Sequence, residues 1–212
     1  MATAIDPVAE GLAESLVRPG GNVTGLTSLS QELHAKLVEF THLLLPKAKR
    51  LAFVVNPDHA LARSHQAVAA RAARSLGIRL APIEVRAARD LESLADRIVK
   101  AQADALVVSA DAVLSGLREG LVKAGLAAGV PTVSVLAEFA EPGALATYGH
   151  DLKANFRRSA RYVDHILKGA KPAELPIEQP TQFELVVNLR TAKALRIAIP
   201  QAVLLRADRV VE

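Results

Sequence analysis

The sequence predicts an α/β protein built around a parallel sheet, on the basis of two observations. Between residues 51 and 148, apolar runs typical of strands alternate with amphipathic patterns typical of helices. The first run, LAFVV, stops at Asn56-Pro57-Asp58 and is followed at once by a helical pattern. Alternation of this kind produces parallel strands joined by right-handed crossovers, with helices on both faces of the sheet.

The predicted elements follow one another in a regular order. A helix opens at Ser28, buries leucines at helical spacing such as Leu33 and Leu37, and ends at Pro46. A helix over 59–76 follows the first strand, and Gly77 ends it. The remaining predicted elements are a strand at 78–85, a helix at 90–102, a strand at 105–109, a helix to 128, strands at 131–136 and 145–148, a helix at 151–168 and a strand at 183–188.

Spacing also predicts which strand ends meet. The common doubly wound order 2-1-3-4-5 places the strand at 51–56 beside the strand at 105–109. Ligands of such sheets bind outside the carboxyl ends of the strands, at the point where the strand order reverses. We therefore expect Asn56 and Asp58 to lie next to Ser109 and Asp111.

The two carboxylates at this edge, Asp58 and Asp111, admit two interpretations. They suit general acid–base chemistry or a metal site. Each also stands at the start of a predicted helix, where aspartate is a favoured N-cap, and this is the interpretation we favour. The two roles are compatible, because a capping loop also presents backbone amides to a ligand.

Signatures of catalysis are missing from the sequence. Ser109 lacks the glycines of a nucleophile elbow, no phosphate-binding loop is present, and no histidine pair has metalloprotease spacing. Most of the six histidines are expected at the surface, with His59 and His150 as weak candidates because both lie at strand ends. The pattern favours a binding protein without cofactor or metal over an enzyme.

Composition and charge limit the remaining functional classes. The chain has 212 residues, a net charge of +4, a pI near 9.6, 3% aromatic residues and no cysteine. Its basic residues are scattered over predicted helix faces, and a nucleic-acid binder that stacks bases needs more aromatic residues, so nucleic acid is not expected as a partner. No signal peptide is visible, which would leave the chain, expressed as given, in the cytoplasm. No strand precedes residues 22–26, so the chain opens like the tail of a longer unit.

A set of short segments resembles a known family in order and spacing. The resemblance is to the substrate-binding proteins of a bacterial ABC transporter group, the one with a tryptophan-uptake-like binding component. The segments are RPGGNVTG at 18–25, LLPKAKR at 44–50, VNP at 55–57, ADALVV at 103–108, YG at 148–149, ILKG at 166–169, KPA at 171–173, LP at 175–176, QPT at 179–181 and FELVVN at 183–188.

The resemblance implies a type I periplasmic binding fold, in which two α/β lobes close on a small ligand. Residues 1–26 would be a remnant of the first lobe with the first crossing segment. Residues 27–148 would form the second lobe, a three-layer αβα sandwich around a parallel sheet, and 149–212 would return to the first lobe. The family also has a signal sequence and most of the first lobe ahead of RPGGNVTG, which implies a partial first lobe here.

The resemblance further implies a solute-binding component of an ABC importer, periplasmic and working with a membrane permease. The solute would be an amino acid or, since Ala112 and Val113 follow Asp111, a more apolar molecule. A homodimer could cover the surface left by the missing part of the first lobe. The alternatives are a ligand-sensing regulatory domain of the same fold and, less favoured, an α/β enzyme. The expected ligand-binding residues are Thr27, Asn56, Asp58, Ser109, Asp111, Glu138 and Tyr148.

Overall fold

The computed structural model describes residues 6–27, 30–179 and 183–212. Its central feature is a seven-stranded sheet in the order β2-β1-β3-β4-β5-β6-β7, and the strand pairs with a described register are parallel. The predicted order of the first five strands is confirmed, and β6 and β7 extend the sheet beyond β5. The strands are β1 Arg50–Val55, β2 Arg79–Glu84, β3 Ala105–Val108, β4 Thr132–Ser134, β5 Ala146–His150, β6 Phe183–Asn188 and β7 Arg209–Val211.

The helices connect these strands, and two of the predicted helices are broken. The predicted helix at 90–102 is a 3₁₀ turn, Ala88–Leu91, followed by a shorter α-helix. The helix that was expected to reach residue 128 divides at Leu117, and the expected opening at Ser28 lies outside the described residues. The helices are α1 Ser30–Leu44, α2 Ala62–Ser75, α3 Leu94–Lys100, α4 Ala112–Gly116, α5 Arg118–Ala127, α6 Leu152–Leu167, α7 Leu189–Ala194 and α8 Gln201–Leu204.

Strand β1 is buried on both faces, which explains its continuous apolar sequence. Alternate residues of a strand point to opposite faces. Ala52 and Val54 pack in one core cluster with Leu94 and Ile98 of α3 and Leu121 of α5. That cluster forms one side of the predicted three-layer sandwich.

The opposite face of β1 packs against α1 and α2. Phe53 meets the ring of His34 from α1 edge to face, with the ring centroids 5.9 Å apart. Helix α2 presents the small buried residues Ala69 and Ala73, which allow a close approach to the sheet. Helices therefore cover both faces of β1, and the predicted α/β class is confirmed.

The chain divides into two compact units. The larger comprises Gln31–Gly149 and Glu184–Glu212, and the smaller comprises Met1–Ser30 and His150–Phe183. The assignment of residues 1–26 and 149–212 to the first lobe and of 27–148 to the second stays a prediction. The backbone amide of Asn188, at the end of β6, donates to Leu145 O at 2.9 Å, which ties β6 to the segment that leads into β5.

The smaller unit is held together by contacts between its two chain segments. Leu26 and Glu178 form a parallel bridge, Ile177 N donates to Leu16 O at 2.7 Å, and Thr24 Oγ1 donates to Leu175 O at 2.6 Å. The predicted cap of α6 is confirmed, because Asp151 Oδ1 accepts from Ala154 N at 2.9 Å.

Helix α6 exposes a row of apolar side chains. Phe156 is 58% exposed, Val163 56% and Leu167 82%. Among the helices of the described residues, α6 included, none is both long enough and apolar enough to cross a bilayer.

A substitution at Gly149 can test the close packing of β5. A Cβ atom on this residue would lie 1.7 Å from Val135 O, so the two backbones approach more closely than any side chain allows. We expect Gly149→Ala to lower the free energy of unfolding by about 3 kcal/mol or more, because β5 must move. Denaturant unfolding of the variant measures this loss.

Gly116→Ala is the matched control. Nothing lies within 4 Å of a Cβ at Gly116, at the end of α4. This substitution is expected to be neutral or to stabilise by about 0.5 kcal/mol, since alanine loses less backbone entropy on folding. Equal stability of the two variants would contradict the close approach.

Candidate functional site

The carboxyl ends of β1 and β3 meet as the spacing predicted. Asn56 follows β1, Asp111 lies three residues after β3, and both are buried. Asn56 Nδ2 donates a hydrogen bond to Asp111 Oδ2 at 3.1 Å. The expected proximity of the two segments is confirmed, and a buried polar pair marks the switch point of the sheet.

Asp111 has a second partner, which holds the start of α4. Its Oδ1 accepts from Leu114 N at 2.8 Å, so the predicted N-cap is confirmed. Each carboxylate oxygen therefore accepts one hydrogen bond, from Asn56 or from Leu114. Because a carboxylate offers about four acceptor positions, this anion can still accept from a ligand.

Asp58 does not cap α2, and that prediction is wrong. The helix begins only at Ala62, and its N-cap residue, Leu61, makes no side-chain hydrogen bond. The amide of Asp58 donates to Asn56 Oδ1 at 3.1 Å in an Asx turn, so Asn56 terminates the strand. The Asp58 carboxylate is 71% exposed and lies 3.6 Å from Arg86 Nε.

Two serines are buried at neighbouring strand ends. Ser109 follows β3, and its amide continues the ladder by donating to Val54 O at 3.1 Å. Ser134 ends β4, and its Oγ accepts from Leu136 N at 3.2 Å. Sequence reasoning missed Ser134, although a serine between valines near the end of a strand was the available signal.

Glu138 belongs to the same edge of the sheet. It lies in the 3₁₀ turn Ala137–Phe139 after β4, and its Oε1 accepts from Ser115 Oγ of α4 at 2.6 Å. Arg118 Nη1 donates to the backbone oxygen of Ser115 at 3.2 Å. The acidic groups after β3 and β4 are thus both linked to α4. Sequence reasoning did not single out Ser115.

Tyr148 packs against α1, and Thr27 belongs to the smaller unit. The ring of Tyr148 stacks on Phe40 of α1, with centroids 5.4 Å apart, and lines a separate cavity of about 310 Å³ with Leu185 and Arg206. Thr27 is buried in the smaller unit, where its amide donates to Glu178 O at 2.9 Å. Of the seven expected residues, Asn56, Asp58, Ser109, Asp111 and Glu138 therefore share one edge of the larger unit.

Three histidines form a stack behind this edge: His34 and His65, which were expected at the surface, and His59, which was a weak site candidate. His34 of α1 and His65 of α2 are buried, and their rings stack with centroids 4.1 Å apart. His59, in the turn after β1, stacks on His65 at 5.4 Å. The signal in the sequence was positional, because His34 lies one residue after the buried Leu33 and His65 lies four residues before the buried Ala69.

His65 is held neutral by its surroundings. Burial and the neighbouring His59 lower its pKa from 6.5 to about 4, against a smaller opposing effect of the Asp111 charge. Within the part of the chain that the structure describes, no group of three or more histidine, aspartate or glutamate side chains could hold a metal ion. The stack therefore contributes packing and hydrogen-bond acceptors.

Comparison with known proteins identifies a family that the sequence matches. The sequence matches the family model of the ABC transporter substrate binding proteins over residues 1–211. It is 24% identical over 196 residues to the tyrosine-binding protein of Clostridioides difficile, covering 92% of this chain and 56% of that protein. The chain thus spans little more than half the length of this relative.

Two solved structures share the fold. A conserved domain protein from Vibrio cholerae is 32% identical, with a TM-score of 0.89 over 97% of this chain and 68% of its own. An ABC domain from Streptococcus pneumonia in complex with L-Trp is 24% identical, with a TM-score of 0.88 over 100% of this chain and 70% of its own.

The burial of His65 predicts a pH dependence of stability. The folded pKa of about 4 lies below the unfolded value of 6.5, so the unfolded chain binds the proton more readily between these values. The contribution of His65 to the free energy of unfolding is fully present above pH 6.5 and is lost as the pH falls towards 4. The loss from this group is at most about 3 kcal/mol.

The measurement is the free energy of unfolding between pH 7 and pH 4.5 for wild type and His65→Phe. The variant keeps an aromatic ring in the stack but cannot take up the proton, so its profile should be flatter. His165→Gln, on the exposed side of α6, is the control and should follow wild type. Parallel profiles for wild type and His65→Phe would contradict the assignment.

Proposed function

The chain belongs to the family of ABC transporter substrate-binding proteins, and we propose that it captures a small solute for an ABC importer without catalysing a reaction. The observation that carries the proposal is the buried Asn56–Asp111 pair at the switch point of the sheet. It is a preorganised polar group at the edge where sheets of this class bind ligands.

An amino acid suits the chemistry of this edge. Asp111 has acceptor positions beyond its two hydrogen bonds, and the Glu138 carboxylate lies at the end of the next strand. Two carboxylates with spare acceptor capacity favour a ligand with an ammonium group. The named tyrosine-binding relative and the complex with L-Trp support an aromatic amino acid as the first solute to test.

The proposed site comprises five residues of the larger unit: Asn56, Asp58, Ser109, Asp111 and Glu138. Thr27 and Tyr148 remain proposed contacts of the ligand from outside this cluster. The proposed location is the periplasm, with an ABC permease as partner, in line with the family. The family assignment favours this importer role over the regulatory and enzymatic alternatives.

Asp111→Asn tests the ligand site. Asparagine retains one oxygen that can cap α4, but its NH2 group replaces the oxygen that accepts from Asn56, so the substitution removes the charge and one buried hydrogen bond. A hydrogen bond to a charged group contributes about 1.5–3 kcal/mol, so affinity for L-tryptophan or L-tyrosine should fall roughly 10- to 100-fold. Calorimetric titration measures the affinity, and a thermal-shift screen with aromatic acids and nucleosides covers other solutes.

The matched control is Asp164→Asn. This carboxylate pairs with Lys168 at 2.9 Å on exposed α6, outside the larger unit. The control should bind as wild type does. If Asp111→Asn binds with unchanged affinity, the ligand does not contact this carboxylate.

We also propose that the apolar row of α6 is covered by a second copy of the chain in a homodimer. Phe156 and Leu167 are exposed on one helix, and contiguous exposed apolar side chains often mark a protein–protein interface. Light scattering should give twice the chain mass for wild type, and the Phe156→Glu, Leu167→Glu double variant should be monomeric.

Leu205→Glu provides the control for that experiment. Leu205 is 79% exposed but belongs to the larger unit, whereas α6 belongs to the smaller one. This variant should keep the mass of wild type. A monomeric wild-type chain would contradict the dimer without affecting the proposed ligand site.

A further inference from the structure

The loop after β3 depends on a hydrogen bond that the buried imidazole of His34 accepts. The amide of Ala110 donates to His34 Nε2 at 3.2 Å, and Ala110 stands between Ser109 and Asp111. An imidazole nitrogen accepts a hydrogen bond only when it carries no proton. Nε2 of His34 is therefore unprotonated in this arrangement, and protonation there removes the acceptor that holds the loop.

The other loop depends on an imidazole in the same way. The amide of Leu61 donates to His59 Nδ1 at 3.1 Å, within the turn that runs from Asn56 to α2. The turn also closes through the amide of His59, which donates to Asn56 O at 3.2 Å. Both segments that form the Asn56–Asp111 pair are thus fixed by neutral histidines.

His65 joins these two histidines into one unit. Its ring lies between the other two, 4.1 Å from the His34 ring and 5.4 Å from the His59 ring, and its side chain is buried. A positive charge on the central ring would lie close to two further imidazoles, and two charges at this range in a medium of low dielectric constant would repel each other strongly. The stack therefore disfavours more than one charge.

The described groups that face the stack come from β1, from the β3–α4 loop and from the turn after β1. From β1 the stack meets the apolar ring of Phe53, and from the β3–α4 loop it meets the Asp111 carboxylate, already hydrogen-bonded at both oxygens. The turn itself carries Asp58, whose carboxylate is largely in solvent and paired with Arg86 from the end of β2. Among the described groups near the stack, Asp111 is thus the buried anion, and its carboxylate accepts hydrogen bonds from Asn56 and Leu114.

We propose that His34 is a positioning residue that holds the Asn56–Asp111 wall in place only while its Nε2 carries no proton, so that acid releases the wall; His65 and His59 pack behind it. Protonation of His34 Nε2 breaks the bond from Ala110 and frees the Ser109–Asp111 segment. Weaker solute binding at acid pH is the consequence, and this consequence rests on the proposed function.

The backbone amide of Ala110 tests the inference without any ligand. Its hydrogen-exchange protection factor, measured by NMR between pH 7.5 and 4.5, should fall at least tenfold in wild type on acidification. In His34→Gln the side-chain oxygen can accept the same hydrogen bond but does not titrate, so protection should stay constant. His165→Gln, an exposed histidine on α6, should respond as wild type does.

His65→Phe provides a second variant that keeps the central ring and removes its proton site. Because the variant removes an imidazole that could repel a charge on His34, its loss of Ala110 protection should occur at the same pH as in wild type or at higher pH. A wild-type protection factor that does not change with pH overturns the inference. So does a fall in His34→Gln equal to that in wild type.

The ligand experiment separates this inference from the proposed function. The charges of L-tryptophan and L-tyrosine do not change between pH 7 and 5, so a change in affinity reports on the protein. Affinity should fall about tenfold in wild type and less in His34→Gln. If neither amino acid binds at any pH while Ala110 still responds, the tested function fails and the positioning role stands.

Discussion

The hydrogen bond between Asn56 and Asp111 is the constraint on which the rest of the site depends. It joins the end of β1 to the start of α4, and both partners are buried. A buried carboxylate is tolerated only when its oxygens have partners, and here Asn56 and Leu114 satisfy one oxygen each. The loops after β1 and β3 are therefore fixed before any ligand arrives, which lowers the entropic cost of binding.

The same constraint explains the environment of the pair. Asn56 also accepts from the amide of Asp58, so one side chain both ends the strand and positions the carboxylate. On the α1–α2 face the histidine stack supports the two loops, and after β4 the Ser115–Glu138 bond adds a second acidic group. This surface is the one that we propose as the ligand site of this member of the substrate-binding family.

Much of the fold could be predicted because its signals are local. Apolar runs and helical spacing located the strands, and short crossovers limited the strand order, which brought Asn56 next to Asp111. The orientation of single side chains was less accessible. Asp58 was expected to cap α2, but the helix starts later and the carboxylate lies in solvent. The histidines were expected at the surface because their positions looked polar, whereas His34 and His65 pack against each other in the core.

Four features could be inferred from the sequence: the α/β class, the parallel order of five strands, the family resemblance and the meeting of two polar strand ends. These follow from periodicity and chain connectivity, which act over short separations. Three other features are visible in the folded chain alone: residues 184–212 extend the large sheet, Tyr148 lines another cavity, and three histidines stack behind the site. Those outcomes depend on packing between residues far apart in the chain, and no local pattern in the sequence encodes which distant surfaces will meet.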